Sequence, residues 1–285
     1  MALYTSATGA GGILPDQWGE LIIAPLRQMS RALDERCATQ VVTASHEFHV
    51  PVLTADATAS WVAEGAEITP SDPTLDEIVV VPAKVAGLTI LSREMAMDSS
   101  PAATAMVGQS IAANMQRALD NAFFGSMASP APAGLGSLAD ADVSRRFTGT
   151  LTPTDLDTFA QVMTDVAVDG GDVTAWVANP VDALTFSNVK VASGWAQPLL
   201  GPDAANPTTR SVFGVPLLTS PQVPQGLVYG LDADRVVTVL REDVAVEMDG
   251  SVFFTSDRVA VRATMRCAFA FPAPKSVGRL AIATS

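Results

Sequence analysis

The chain has 285 residues, with 48% hydrophobic against 16% charged residues and a net charge of −13 from 17 basic and 30 acidic side chains. That balance excludes the basic footprint of a sequence-reading nucleic-acid binder and an attraction to anionic membranes. The longest apolar stretch, residues 78–91, is interrupted by Pro82 and Lys84 and is shorter than the ~18–20 residues of a membrane span, and the N-terminus MALYTSATGAGG lacks the basic and apolar regions of a signal peptide.

Mean hydropathy is +0.28. A typical soluble domain carries about 25% charged residues, so the composition raises the question of what covers the apolar surface. Lysine is depleted where surface is buried against partners, and this chain has three: Lys84, Lys190 and Lys275. Burial against further copies of the chain and a codon bias against lysine both fit.

In chain order, residues 1–14 are small, Gly-rich and uncharged and predict a flexible arm. Residues 15–36 predict a helix broken at Pro25, with Leu26, Met29 and Leu33 at helical spacing. The pattern of Val41, Val42, Phe48, Val50 and Val52 predicts extended chain over 38–53, and residues 74–90 return as extended chain. Between them lies a polar, acidic stretch holding Trp61, so the three parts read as a long hairpin with a polar tip. A two-stranded hairpin is marginal alone in water, so it is expected to lie on something. The clearest helix follows, with Ser99 or Ser100 as N-cap and Pro101 in its first turn. Val107, Ile111, Met115, Leu119 and Phe123 form its apolar stripe, and Gly125 ends it.

Residues 127–150 read as loop. A second helix is expected from Thr152-Pro153, with Asp155 as a capping-box acid and Phe159, Val162, Met163 and Val166 on its apolar side, ending at Gly170-Gly171. Short elements come next: a strand over 174–178, a helix capped by Asn179-Pro180 running to about Lys190, and strands at 216–219, 227–231, 236–240 and 244–248. The last element, residues 258–271, alternates with period two. Val259, Val261, Ala263, Met265, Cys267 and Phe269 share one face; Arg258, Arg262 and Arg266 share the other. The fold class is α+β with mixed sheet.

Charge is unevenly spread. Residues 47–98 hold nine acids against Lys84 and Arg93, whereas residues 257–285 hold Asp257 against Arg258, Arg262, Arg266, Lys275 and Arg279. Two such surfaces attract each other between subunits or are solvated independently.

The sequence offers no catalytic site. The two histidines, His46 and His49, lie three apart in strand context, which places them on opposite faces rather than around a metal. Ser187–Lys190 matches S-x-x-K without companion motifs, and there is no G-x-S-x-G elbow or Walker A loop. Gly134-Leu135-Gly136-Ser137-Leu138-Ala139 loosely fits a dinucleotide fingerprint but follows SPAPA rather than a strand. The pairs Asp140/Asp142, Asp155/Asp157 and Asp232/Asp234 lack Ca²⁺-loop spacing and suit caps and turns. Cys37 and Cys267 form no metal or redox motif and read as free thiols. No cofactor is expected.

One arrangement is more specific. ASWVAEGAEITPSDPTLDEIVVVPAKVAGLTILSREMAMDSSPAA, residues 59–103, resembles the major capsid proteins of tailed bacteriophages with the Hong Kong 97-like fold. The resemblance rests on Trp61 with Glu64-Gly65, on Ser71 and Pro73, on Lys84 in the return arm, and on Ser92 and Glu94 before a long helix ending in Asp120, Phe123, Phe124 and Gly125. Weaker matches are Ala175-Trp176 leading to Asn179-Pro180, Phe213-Gly214-Val215-Pro216, Gly230 and the arginine-bearing last strand. The match runs from about Gly11 to the C-terminus, and residues 61–125 are its specific part.

The resemblance implies an N-arm and lead-in strand over 1–44, an E-loop over 45–92, a P domain over 93–150 with a spine helix at about 100–124, an A domain over 151–241, and C-terminal P-domain strands over 242–285. It implies a structural, non-enzymatic virion protein that forms the pentamers and hexamers of an icosahedral shell around double-stranded DNA, assembled in the host cytoplasm with a portal and, as optional partners, decoration proteins. An encapsulin-like compartment enclosing cargo enzymes shares the fold and is the alternative. In such shells the E-loop of one subunit lies over the neighbour's P domain. That makes Trp61, Glu64, Glu67, Lys84, Arg93, Glu94, Arg258, Arg262 and Arg266 the candidate intersubunit contacts. Because the implied N-arm begins so soon after Met1, a separate scaffolding protein or none is expected. Because no lysine lies in residues 54–76, the shell is expected to be non-covalent.

Overall fold

The computed structural model describes Leu26 and residues 30–65, 67, 69–92, 101–141, 143, 156–188, 210–249, 251, 253 and 256–282. In chain order the strands begin with β1 (Thr39–Val42), β2 (Phe48–Ala55), β3 (Thr74–Val80) and β4 (Ala83–Ser92), followed by helix α1 (Pro101–Phe124). Helix α2 (Asp157–Val168), β5 (Ala175–Ala178) and helix α3 (Pro180–Ser187) come next. The chain closes with β6 (Ser211–Val212), β7 (Val215–Thr219), β8 (Leu227–Leu231), β9 (Val237–Asp249), β10 (Arg258–Ala270) and β11 (Gly278–Ala281).

The period-two alternation of the last long strand works as expected. Val261, Ala263, Met265 and Cys267 of β10 are buried, while Arg258 and Arg262 face outward. β10 pairs antiparallel with β9 on one side and β4 on the other, and β1 joins β9 in parallel, giving the order β1-β9-β10-β4. The expected stripe of α1 packs on the inner face of this sheet, with Ile111, Met115, Leu119 and Phe123 all buried. The second sheet, β11-β8-β5-β7-β6, is mixed: β5 runs parallel to β7 and antiparallel to β8. Its face carrying Trp176, Ala178, Leu217 and Leu280 is covered by Phe159, Val162 and Val166 of α2 and Ala183 and Phe186 of α3. Its other face sends Ala175, Val177, Tyr229 and Leu231 into the core shared with α1.

Aromatic rings fix the junction. Phe123 meets Phe124 and Phe269 edge-on with centroids 5.0 Å apart, and Phe124 lies 5.9 Å from Tyr229, whose hydroxyl donates to the Phe124 carbonyl at 3.2 Å. Edge-on geometry suits the ring quadrupoles. The end of α1 is thereby bolted to both sheets.

Several expectations change in detail. The extended run over 38–53 is two strands in different sheets, separated by the polar turn at residues 43–47. The return arm also divides. β3 completes the hairpin with β2, but β4 leaves it to pair with β10 across its whole length. Conversely, the strands expected at 236–240 and 244–248 are one strand, β9. Its charged Arg241-Glu242-Asp243 segment is absorbed by register shifts opposite Thr264–Cys267 rather than by a turn; a bulge takes up extra residues without ending the ladder. The helix expected through Leu33 is not continuous, because residues 31–37 form turns. The caps expected at Ser99 or Ser100 and at Thr152–Asp155, like Met29 and Lys190, lie outside the described residues.

Both cysteines are buried and unpaired. Burial pushes each thiol from its ordinary value of 9.0 up to about 12. A group with a raised folded pKa contributes stability that is complete below the unfolded value and is lost as pH climbs toward the folded one. Between pH 9 and 10 the unfolded chain ionises and the folded chain does not, so each thiol is expected to cost about 1 kcal/mol of stability over that interval. Urea unfolding at pH 8, 9 and 10 checks this: replacing either cysteine by alanine should flatten the slope, and an unchanged slope in both variants would contradict it.

Candidate intersubunit contact site

The two sets of sequence-predicted contact residues occupy different parts of the chain. The first sits on the β2–β3 hairpin. Ser71 closes the tip: its hydroxyl accepts from the Thr58 amide at 2.9 Å and donates to the Thr58 carbonyl at 3.1 Å. Beyond that clamp the chain turns at Glu64-Gly65, with Gly65 at φ 83°. Trp61 is completely exposed, at 105% relative accessibility, and Val62, Glu64 and Glu67 are exposed beside it. The hairpin itself leaves the register pair Leu53 and Leu75, and also Val79, open to solvent. His49 Nδ1 lies 3.1 Å from Glu77 Oε2 across the two strands. Among the described residues no group of three or more His, Cys, Asp or Glu side chains is placed to hold a metal ion.

The second set shares the outer face of the four-stranded sheet. Lys84 of β4 stands opposite Arg266 of β10, Leu88 opposite Arg262, and Ser92 opposite Arg258. Leu88 and Ile90 are exposed there, so the face alternates cation and apolar side chain. Arg262 forms an ion pair with Glu247 of β9, its register partner. Part of the basic strand is therefore matched inside its own chain, which the charge census does not reveal. Arg93 and Glu94 lie outside the described residues.

A cavity of about 400 Å³ lies on the other side of the sheet, where the start of β4 and the end of β10 meet α1. Its walls are Val85, Leu119, Ala122, Ala131 and Cys267, with Met127 and Ala118 at exposed positions and Asn121 and Lys84 as polar residues of the lining.

Asp120 stands out in the sequence only as part of the resemblance, and its role as a buried acceptor was not read there. Asp120 is fully inaccessible on α1. It accepts from Ser30 Oγ at 2.7 Å, Gln116 Nε2 at 2.7 Å, the Arg31 amide at 3.1 Å and the Ala32 amide at 3.2 Å. The same segment is held by the Thr238 hydroxyl donating to the Ala32 carbonyl at 2.9 Å, and by Arg31 Nε donating to the Thr219 carbonyl at 3.3 Å. Residues 30–32 are thus tied to α1, β9 and β7 together. An acid inside an apolar run, with Gln116 four residues before it, was the available signal.

The model of the Phage capsid family matches residues 10–280. The chain belongs to the phage capsid family. This capsid protein is accordingly a structural protein of a virion shell. No curated protein matches it in sequence. Among solved structures it is similar to a chain of Mycobacterium phage Adephagia, at 21% identity and a TM-score of 0.69, covering 90% of this chain and 91% of that one. A chain of Microbacterium phage Oxtober96 gives 20% identity and a TM-score of 0.70 over the same shares. The capsid of a native GTA particle gives 19% identity and 0.66, covering 100% of this chain and 96% of that one. At these identities the structures establish a common fold. Among the described residues no helix is long and apolar enough to cross a membrane.

Proposed function

We propose that this capsid protein assembles, through non-covalent contacts, into the pentamers and hexamers of an icosahedral shell that encloses double-stranded DNA, on the plan of the Hong Kong 97-like fold. The observation that carries the proposal is the family match over residues 10–280, joined to a hairpin that leaves Trp61 fully exposed and Leu53, Leu75 and Val79 largely open to solvent. Large exposed apolar patches mark sites of association.

In this reading the β2–β3 hairpin is the E-loop, α1 the spine helix, the four-stranded sheet the P domain, and the second sheet with α2 and α3 the A domain. The pairing of β4 with β10 favours ending the E-loop near Val81 rather than at Ser92. A net charge of −13 suits a container whose packaged DNA must slide rather than stick. Individually weak contacts suffice, because multivalency multiplies them. A portal is the partner this reading calls for; a separate scaffolding protein and decoration proteins are compatible with it and not required by it.

The test is expression of the chain alone, size exclusion, and negative-stain electron microscopy of the leading fraction. Closed shells or capsomer-sized rings are the expected result. A monomer or dimer that stays so when scaffold and portal are supplied would overturn the reading. Nucleic acid inside native particles is expected; cargo enzymes in its place would point to the cellular compartment. Denaturing gels of the particles should show single-chain bands, because residues 54–76 hold no lysine and Lys84 sits in a paired strand. A ladder insensitive to reductant would sink the non-covalent expectation.

A further inference from the structure

We propose that Trp61 of one subunit seats in the apolar cavity between α1, β4 and residues 127–132 of an adjacent copy. This rests on the shell reading above and names the contact that would hold neighbouring copies. The two features are complementary and both are unspent in the single chain. Trp61 touches nothing that shields it, although an indole gains more from burial than any other side chain here. The cavity measures about 400 Å³. It falls within the range of pockets that enclose small ring systems.

The wall chemistry matches an indole in detail. Ala118 and Ala122 are small enough to admit a flat ring along the helix. Met127 and Cys267 supply sulfur, which packs well against aromatic edges. Asn121 is a polar residue of the lining, and the indole N–H needs an acceptor once buried. Charge agrees as well. Glu64 and Glu67 follow Trp61 on the tip, while Lys84 lines the cavity and stands opposite Arg266 in the sheet. Opposed charges of this kind set register and exclude wrong pairings.

The geometry of association follows from where the two features sit. A knob and a hole on different surfaces of one chain make a head-to-tail contact, and head-to-tail contacts close into rings when the rotation allows. Rings of subunits are what pentamers and hexamers require. Buried aromatic anchors carry most of the binding energy of such contacts, so one tryptophan per subunit is a sufficient anchor.

The experiment is a cysteine pair, Trp61→Cys with Ala118→Cys, in assembled particles of the full chain. Ala118 lines the cavity from an exposed helical position; because Cys267 lines it too, Cys267→Ala is carried in all the variants, and Cys37 is buried and slow to react. Oxidation is expected to give a reductant-sensitive ladder of multimers that neither single variant gives. Particles that form without a ladder would overturn the proposal and leave the shell reading standing. If the double variant does not assemble, hydroxyl-radical footprinting of the unaltered chain decides. Trp61 and Met127 should both be oxidised in dissociated subunits and both be protected in particles, and a Met127 that stays reactive in particles would overturn the contact. Failure of the unaltered chain to form any multimer, with scaffold supplied, would overturn the shell reading and this contact with it.

Discussion

Replacing Asp120 with alanine is expected to destabilise the folded chain by roughly 3–5 kcal/mol, because a buried donor stripped of its acceptor loses about 1–3 kcal/mol and several are stripped at once. The Ser30 hydroxyl, the Gln116 amide and the Arg31 and Ala32 N–H groups all donate to this carboxylate. Water cannot replace it, since Asp120, Ser30, Ala32 and Gln116 are all buried. Asp120→Asn separates the polar role from packing. One side-chain oxygen can still accept from Ser30, Arg31 and Ala32, and the Gln116 amide can turn its oxygen toward the new NH₂ group. That variant should lose less than half as much. Urea midpoints of the two variants against the unaltered chain measure both, and an Asp120→Ala midpoint within about 1 kcal/mol of the original would show that the network is not what holds the segment. The assembly consequence follows from position. Residues 30–38 join α1 to both sheets, so a loosened segment should also lower the yield of particles.

The regular elements were legible because local pattern determines them. The stripe from Ile111 to Phe123, the alternation of β10 and the Asn179-Pro180 start of α3 each need only nearby residues. In the last case the Asn179 side chain accepts from the Val181 amide at 3.1 Å. Pairing was not legible in the same way. Nothing local tells Thr39–Val42 to lie parallel to Val237–Leu240, or Ala83–Ser92 to leave the hairpin for β10. For β4 the choice goes with the face carrying Val85 and Leu91, which packs against the α1 side of the core, whereas no residue of β1 is buried there. The break expected at Arg241-Glu242-Asp243 failed for a related reason: a charged segment ends a strand only if its neighbours cannot bulge around it, and the sequence does not show the neighbour.

The candidate contacts divide along the same line. Trp61 and Ser71 were readable as a motif, and the structure gives Ser71 a mechanical reason as the clamp of the tip. The arginines of β10 were readable as a charged face, but Arg262's in-chain partner Glu247 comes from a strand joined only by tertiary pairing. The cavity was invisible, because its walls come from residues 83–85, 118–132 and 267. Exposed tryptophan at a loop tip is a local fact; the hole that suits it is assembled from three distant pieces.

Gly134→Ala is expected to cost about 3 kcal/mol or more, beyond the usual range for an added methyl in a packed site. The backbone there is extended, at φ −105° and ψ −174°, so conformation alone would tolerate any residue. Space would not. A Cβ at Gly134 would stand 1.9 Å from the Ala122 carbonyl oxygen, 2.6 Å from that of Phe123 and 2.7 Å from that of Gly125. These are backbone atoms at the end of α1, with no side-chain freedom to relieve the overlap. The glycines that loosely imitate a phosphate-binding loop thus have another use: they let the chain lie directly against the helix end, with Leu135 fully buried behind it. The two explanations give opposite results. A ligand-cradling glycine would leave folding intact when changed to alanine, whereas this one should reduce soluble yield and the denaturation midpoint together. Ala133→Ser, at the exposed neighbouring position, should shift the midpoint by less than about 0.5 kcal/mol and serves as the control. Because residues 127–132 wall the cavity and run directly into this seat, Gly134→Ala should also disturb the surface where a neighbouring copy is proposed to dock, and any particles that form should be fewer and less regular.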